Sequence, residues 1–380
     1  MWEEQAAHQL STPPRPEELE LTLFGPGYGE SIVLHIPGLG WGVIDSCVWR
    51  PPRQPAKTPP LKYLRLLSVD RLYFVILTHP HEDHYQGMAE ILRAFQGRIM
   101  YVARYYGEGV RELKVYWARQ RLAGRSGMAS LGEVFTAIKD AKESGAYELR
   151  LSEMVQIIAR HNLQVADSPL FDVQMVALSP SAESGEYYTN LLRQSIPTVG
   201  QRVQPLKDEL HNCIASAILL IAGRVRVILG SDLESGSTNR MGWRGILLNP
   251  DHPNLSADLV KVAHHGSRNA HLERAWQIHG EEGLPFAVLT PWNRSANPLP
   301  QENDIQRLKN VSTHVGQTAA LRIQRPEDVY SREVAKTLRA ATRRWRVITP
   351  ADQVGAFRFR FQLNGTIVDR TAFPPAFWHS

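Results

Sequence analysis

The segment from Leu72 to His84 constrains this chain more than any other. Leu72–Leu77 reads LYFVIL, an almost wholly apolar run of the kind that forms a short strand buried on both faces. Thr78-His79-Pro80-His81-Glu82-Asp83-His84 then places three imidazoles and a carboxylate directly where that strand stops. From Tyr85 to Phe95 the apolar residues Met88, Ile91, Leu92 and Phe95 recur at helical spacing. Strand, polar cluster, helix is the layout of an α/β layered fold that keeps its chemistry at strand ends. Neutral imidazole and carboxylate oxygen suit Zn²⁺, and equally Mn²⁺ or Fe. His79 and His81, two apart on an extended chain, can face one ion, while Asp83 and His84, past the turn, can face a second. The alternative, a solvated polar loop, leaves this ligand density behind a buried strand unexplained.

The remainder reads as a packed fold, one large domain or two modest ones. The chain has 380 residues, 43% hydrophobic and 21% charged, enough apolar surface for a packed core and far from disordered composition. Cys47 and Cys213 are the two cysteines, too few for a disulfide framework, which points to a reducing compartment, most simply the cytoplasm. The N-terminal stretch lacks the basic and apolar regions of a signal peptide. The apolar run Ile214 to Ala222, interrupted by Ser216, is roughly half the ~20 residues that span a bilayer, so no membrane insertion is expected. The formal charge of +5 permits an anionic substrate without demanding one.

Strand patterns cover Glu18 to Phe24, Ser31 to Ile36 and Trp41 to Ile44, then Phe171 to Leu178, Ile214 to Ile221, Val225 to Leu229, Leu259 to Val262 and Phe286 to Leu289. Ala356 to Gln362, Asn364-Gly365 and Thr366 to Val368 read as a closing hairpin with a type I′ turn. Helices are expected over Gln301 to Leu308 and Glu333 to Arg343. The proline-rich stretches Ser11 to Glu17 and Pro51 to Pro60 read as linkers. Ala103 to His161 reads as a helical insertion, with helical periodicity across Val110 to Leu122 and Leu131 to Lys142.

More ligand-type residues sit at the ends of apolar runs: Asp45 in GWGVIDS, Asp232 in VILGSDLE, and His264 and His265 in LVKVAHHGS. His211, in ELHNCIASAILLI, precedes another. The complete His-x-His-x-Asp-His pattern after a strand resembles the signature of the metallo-β-lactamase superfamily. That resemblance implies an αββα sandwich over residues 18–370, with 103–161 as a helical insertion and 1–17 as an N-terminal extension. It implies two divalent ions: one on His79, His81 and a third histidine, for which His211 is the candidate, and one on Asp83 and His84. Asp232 would bridge them. His264 or His265 would be the last ligand, His265 matching the commoner His-Gly ending, and Asp45 would support the ligands from behind. A metal-bound hydroxide would attack the substrate, and Asp83 or Asp232 could also handle the proton. Asn212 and Ser216, then GSDLE, KVAHHGS and the stretch Asn293 to Pro298, are similar to the hydrolase domain of ComEC-type competence proteins. Many of those carry asparagine near the third histidine, which leaves His211 open, and they carry a membrane channel that this sequence lacks.

The fold does not name a substrate. Between residues 103 and 125, Arg104, Arg111, Lys114, Arg119, Arg121 and Arg125 alternate with Tyr105, Tyr106, Tyr116 and Trp117, a mixture that suits phosphate neutralisation and base stacking. A solvated amphipathic helix would show the same composition. Arg343, Arg344, Arg346, Arg358 and Arg360 read as exposed charge. Arg119, Arg121, Ser267 and Asn293 are candidate substrate contacts. The leading expectation is a metal-dependent phosphodiester hydrolase, a nuclease with nucleic acid as substrate, using two divalent ions, zinc foremost with manganese or iron as alternatives. The others are hydrolysis of a small molecule (a phosphocholine ester, lactone or lactam) and a partner-activated subunit of a larger complex.

Overall fold

The computed structural model describes residues 4–51, 54–105, 127–166, 168–195, 208–293, 297–324, 333–334, 336–337, 346–348 and 354–380. Its first strands are β1 (Glu18–Gly25), β2 (Ser31–Ile36), β3 (Gly40–Ile44), β4 (Leu72–Leu77), β5 (Ile99–Tyr105) and β6 (Tyr147–Leu151). There follow β7 (Val155–Leu163), β8 (Phe171–Ala177), β9 (Ile218–Ala222), β10 (Val225–Leu229), β11 (Leu259–Lys261), β12 (Phe286–Leu289) and β13 (His314–Gln317). β14 (Arg322–Gln324) pairs with β15 (Arg346–Ile348), and β16 (Gly355–Gln362), β17 (Ile367–Phe373) and β18 (Phe377–Trp378) close the chain.

Two eight-stranded sheets result, in the orders β17-β16-β1-β2-β3-β4-β5-β6 and β18-β13-β12-β11-β10-β9-β8-β7. In the first, strands from β17 to β3 pair antiparallel and those from β3 to β6 pair parallel. The second repeats the division, parallel from β13 to β10 and antiparallel from β10 to β7.

Period-two alternation explains how the sheets meet. Leu19, Leu21 and Leu23 of β1, Phe357, Phe359 and Phe361 of β16, and Val173 and Met175 of β8 all enter one buried cluster between the sheets. Each of those phenylalanines is fully buried, worth about 1.5–3 kcal/mol apiece. Opposite residues of the strands face helices. Helices Met88–Ala94 and Gly127–Glu143 cover the first sheet through Ile91, Leu92, Val134 and Ile138. Helices Gly242–Leu248, Glu273–His279 and Glu302–Lys309 cover the second through Trp243, Ile246, Trp276, Ile305 and Leu308. The mixed α/β architecture is therefore a sandwich of helix, sheet, sheet and helix layers.

Several sequence expectations change. Residues 147–161, read as part of a helical insertion, are strands at the edge of each sheet, β6 against β5 and β7 against β8. Their alternation is submerged by the helical neighbours, of which Gly127–Glu143 is present, while Val110 to Leu122 lies outside the described residues. The linker reading of Pro51 to Pro60 ends at Thr58, because Pro59 and Pro60 open a helix over Pro59–Leu66, where a missing N–H costs nothing. The closing hairpin has a different turn: Gly365 alone takes a positive φ there, and its N–H donates to the Gln362 carbonyl, a type I turn followed by a left-handed glycine. Arg358 and Arg360 are buried, not exposed. They pair with Asp369 and Glu20 and donate to the carbonyls of Gln9 and Thr12, fastening residues 9–12 onto the sheet.

Candidate metal centre

The C-terminal ends of the parallel strands converge on one edge of the sandwich. Asp45 follows β3, Thr78 to His84 follow β4, Asp232 follows β10, His264 and His265 follow β11, and Thr290 to Trp292 follow β12. Crevices beyond the carboxyl ends of parallel strands are where open α/β sheets place their ligands. The His81–Tyr85 turn is pinned from outside: Ser46 N–H donates to the His84 carbonyl at 2.8 Å and Glu30 N–H to the Asp83 carbonyl at 3.0 Å. Gly29 makes that approach feasible, since a Cβ there would stand 2.8 Å from the Asp83 carbonyl oxygen.

Among the described residues three groups of ligand-type atoms form, each with its atoms within 4.8 Å of one another: Glu30, Asp45 and His84, and two larger ones, His79, His81, His84 and Asp232, and Asp83, His84, Asp232 and His265. His84 and Asp232 belong to both larger groups, and every member is buried. His79 Nε2, His81 Nδ1, His84 Nε2, His265 Nε2 and both oxygens of Asp83 and Asp232 have no hydrogen-bond partner of acceptable geometry. They are nonetheless crowded: His81 Nδ1 stands 2.6 Å from Asp83, His265 Nε2 3.2 Å from Asp83, and His84 Nε2 3.3 Å from Asp232. Buried polar atoms that face one another without bonding require an explanation. A nitrogen and oxygen donor set of this kind suits a divalent metal ion.

The other ring nitrogens are held. His84 Nδ1–H donates to Asp45 Oδ2 at 2.7 Å, and that carboxylate also accepts from the Thr78 N–H at 2.8 Å and the Thr78 hydroxyl at 2.7 Å. His265 Nδ1–H donates to the Thr290 carbonyl at 3.0 Å, and His79 Nδ1 lies 3.1 Å from the Thr78 hydroxyl. Fixing the outer nitrogen selects the tautomer whose Nε2 can ligate.

Electrostatics without a metal reflect the crowding. Burial opposes charge on His84, but the carboxylates of Asp232, Asp83, Asp45 and Glu30 outweigh it and raise its pKa well above the usual imidazole range. Burial likewise opposes charge on His265, yet Asp232 and Asp83 lift it to about 10. The carboxyls of Asp83 and Asp232 are held well below the carboxylate range by neighbouring imidazoles despite burial. A divalent cation would displace those protons and take over the charge balance.

The structure separates the other sequence candidates. His264 lies beside the cluster but outside all three groups: Asn212 Nδ2 donates to its Nε2 at 3.2 Å, its Nδ1–H donates to Asn269, and burial lowers its pKa to about 4. His265 is the histidine that turns inward. His211 also lies outside the groups, its ring 6.3 Å from that of His81 and its Nδ1 2.7 Å from the Tyr188 hydroxyl. Burial pushes the Cys213 thiol up to about 12, consistent with a packing role. Ser267 lines a cavity with Trp243, Trp276 and Arg307 beneath the outer helices. Asn293 follows Trp292 in the chain, outside the ligand groups, whereas Arg119 and Arg121 lie outside the described residues. Arg104, one of the basic residues between 103 and 125, is buried against Glu148 at 2.7 Å.

Four residues packed around the ligand groups carry little or no sequence signal. Trp292 stacks on His81 at 5.4 Å with 14° between ring planes and also abuts His265. Glu30, Lys261 and Thr290 form a buried set behind the ligands. The one available signal is Lys261 itself, a charge inside the apolar run LVKV that must find a partner if buried.

The metallo-beta-lactamase superfamily profile matches residues 24–157. Among solved structures, the metallo-beta-lactamase fold protein YhfI from Bacillus subtilis is similar at 12% identity and a TM-score of 0.39, over 79% of this chain and 95% of that one. No curated protein matches the chain. The segment that matches the metallo-beta-lactamase superfamily profile holds Asp45, His79, His81, Asp83 and His84.

Proposed function

We propose that the protein is a metal-dependent phosphodiester hydrolase, a nuclease whose hydrolase part is of the ComEC type. One observation carries the hydrolase reading: two overlapping buried groups of histidine and aspartate atoms at the strand ends, sharing His84 and Asp232. Two divalent ions, zinc with manganese or iron as alternatives, would be held one by His79 and His81 and the other by Asp83, His84 and His265, with Asp232 in reach of either group. When bound, such ions lower the pKa of a water molecule and polarise a phosphoryl oxygen. The chain's own residues orient the imidazoles through Asp45, Thr78 and Thr290, and Trp292 stacks on His81. Asp83 or Asp232 would take the proton at a carboxylate oxygen.

The phosphodiester preference is supported by the net charge of +5, by the sequence run holding Arg111, Lys114, Arg119, Arg121 and Arg125 with Tyr106, Tyr116 and Trp117, and by the KVAHHGS and GSDLE similarities. Among the described residues no helix is long and apolar enough to cross a membrane. The second reading is a small phosphoester such as a phosphocholine ester, or a lactone or lactam, as the substrate of the same centre. Labelled single-stranded and double-stranded DNA and RNA, incubated with Zn²⁺, Mn²⁺ or Mg²⁺, test the proposal, with Asp83→Ala as control. Cleavage that disappears in the control supports it. Metal uptake without cleavage of any polymer moves the substrate to the small phosphoester.

A further inference from the structure

The second ligand group has a common anchor that no motif announces. Glu30 and Lys261 are both buried, 2% and 0% exposed, and their side chains form an ion pair. From that pair contacts run to each of the four ligands. The Glu30 N–H donates to the Asp83 carbonyl at 3.0 Å, and Glu30 Oε1 stands 3.9 Å from His84 Nδ1. The Thr290 hydroxyl donates to Glu30 Oε2 at 2.9 Å and lies 3.3 Å from His265 Nδ1, while its carbonyl accepts from the same nitrogen. Lys261 Nζ donates at 3.0 Å to the carbonyl of Ser231, the residue immediately before Asp232. His79 is held differently, by the hydroxyls of Thr78 and Ser231, and His81 by Asp83 and the face of Trp292.

We infer that Glu30 and Lys261 are positioning residues for one metal ion specifically, the one held by Asp83, His84, Asp232 and His265. The inference rests on the metal reading above. Glu30 also lies with Asp45 and His84 in a third buried group of ligand-type atoms, but there Lys261 and the Thr290 hydroxyl engage its carboxylate, and Thr78 and His84 engage that of Asp45. Removing the charge of Glu30 leaves an unpaired lysine in an apolar interior, and Lys261 must then shift toward water or toward the Ser231 turn. Either movement displaces Asp232 and frees Thr290 to release His265.

Stepwise Co²⁺ titration of the metal-free protein, followed by visible absorption and elemental analysis, tests this without reference to turnover. Wild-type protein is expected to take up two equivalents. Glu30→Gln is expected to retain the first and bind the second about 10–100-fold more weakly, with loss of the corresponding absorption. Thr290→Val leaves the ion pair intact and carries the test if Glu30→Gln does not fold: it should weaken the second equivalent in the same sense, and Thr290→Ser should restore it. Two equivalents bound with wild-type affinity and spectrum in Glu30→Gln or, should that not fold, in Thr290→Val overturn the inference while the metal reading stands. One equivalent in the wild type removes the second site and the inference with it. No uptake at all removes the metal reading itself.

Discussion

Asp45→Asn is a near-isosteric change that separates the two duties of the carboxylate behind His84. Asp45 Oδ1 accepts from the Thr78 N–H, while Oδ2 accepts from both the Thr78 hydroxyl and His84 Nδ1–H, all between 2.7 and 2.8 Å. Asparagine has one acceptor and one donor group. If its NH₂ takes the Oδ1 place, two donors confront each other at Thr78. If it takes the Oδ2 place, it faces His84 Nδ1 and favours the imidazole tautomer protonated on Nε2, the atom directed at both ligand groups. Either arrangement loses a charge-assisted hydrogen bond, about 1–3 kcal/mol of stability. The wrong His84 tautomer must also be corrected on metal binding, which lowers affinity about 10–100-fold, or about 1.4–2.8 kcal/mol. Asp45→Ala, which strands three buried donors, should cost considerably more stability. The assay is urea unfolding of metal-free protein in parallel with Zn²⁺ titration. Wild-type metal affinity in an Asp45→Asn protein that folds would refute the reasoning, because His84 would then not depend on Asp45 for its tautomer.

Two further outcomes concern stability away from the ligands. Burial against Trp243 and Trp276 lowers the His279 pKa to about 4 from an ordinary 6.5, so the unfolded chain binds a proton that the folded chain excludes. Stability is full above pH 6.5 and falls as pH drops toward 4, by up to about 3 kcal/mol at roughly 1.4 kcal/mol per pH unit. In His279→Gln the dependence of the urea midpoint on pH across that window should flatten, and parallel profiles would count against it. Arg360→Met leaves Glu20, fully buried, with Tyr63 and Thr22 but no cation. Stripping one partner from such a pair costs about 3–5 kcal/mol, so the urea midpoint should fall sharply; a loss below about 1 kcal/mol would mean that Glu20 finds other compensation.

The site is legible where its residues are neighbours in the chain and obscure where only folding brings them together. His79, His81, Asp83 and His84 crowd one turn, and their chemistry shows in the linear order of residues. Asp232 and His265 show as polar residues that end apolar strands. His264 and His265 cannot be told apart by type, since the choice depends on which ring Asn212 and Asn269 capture. Glu30 and Thr290 lie 260 positions apart, and no local pattern links them. Arg358 and Arg360 show the same limit: their charges suggest water, but Asp369 and Glu20 reach them from the flanking strands β17 and β1. The strands at 147–163 are hidden by helical neighbours, whereas β4 stands out because both its faces are apolar.

Backbone conformation argues independently that this edge of the sandwich is under functional constraint. Of the eight non-glycine residues with positive φ among the described residues, four lie at this edge: Asp45, Ser231, His264 and His265, at 56°, 47°, 46° and 55°. L-residues tolerate that region poorly, at about 1–2 kcal/mol each, and such positions persist only where surrounding contacts over-determine them. Those contacts come from the polar frame behind the ligands. The Asp45 carbonyl accepts from the Ser31 hydroxyl, the Ser231 carbonyl accepts from Lys261 and from the His264 N–H, and Thr290 holds His265. A fold selected for stability alone would put glycine at such turns, as it does at Gly365. Aspartate and histidine side chains are retained there because the turns exist to aim them, and the same polar frame is the means by which the chain sustains that strain.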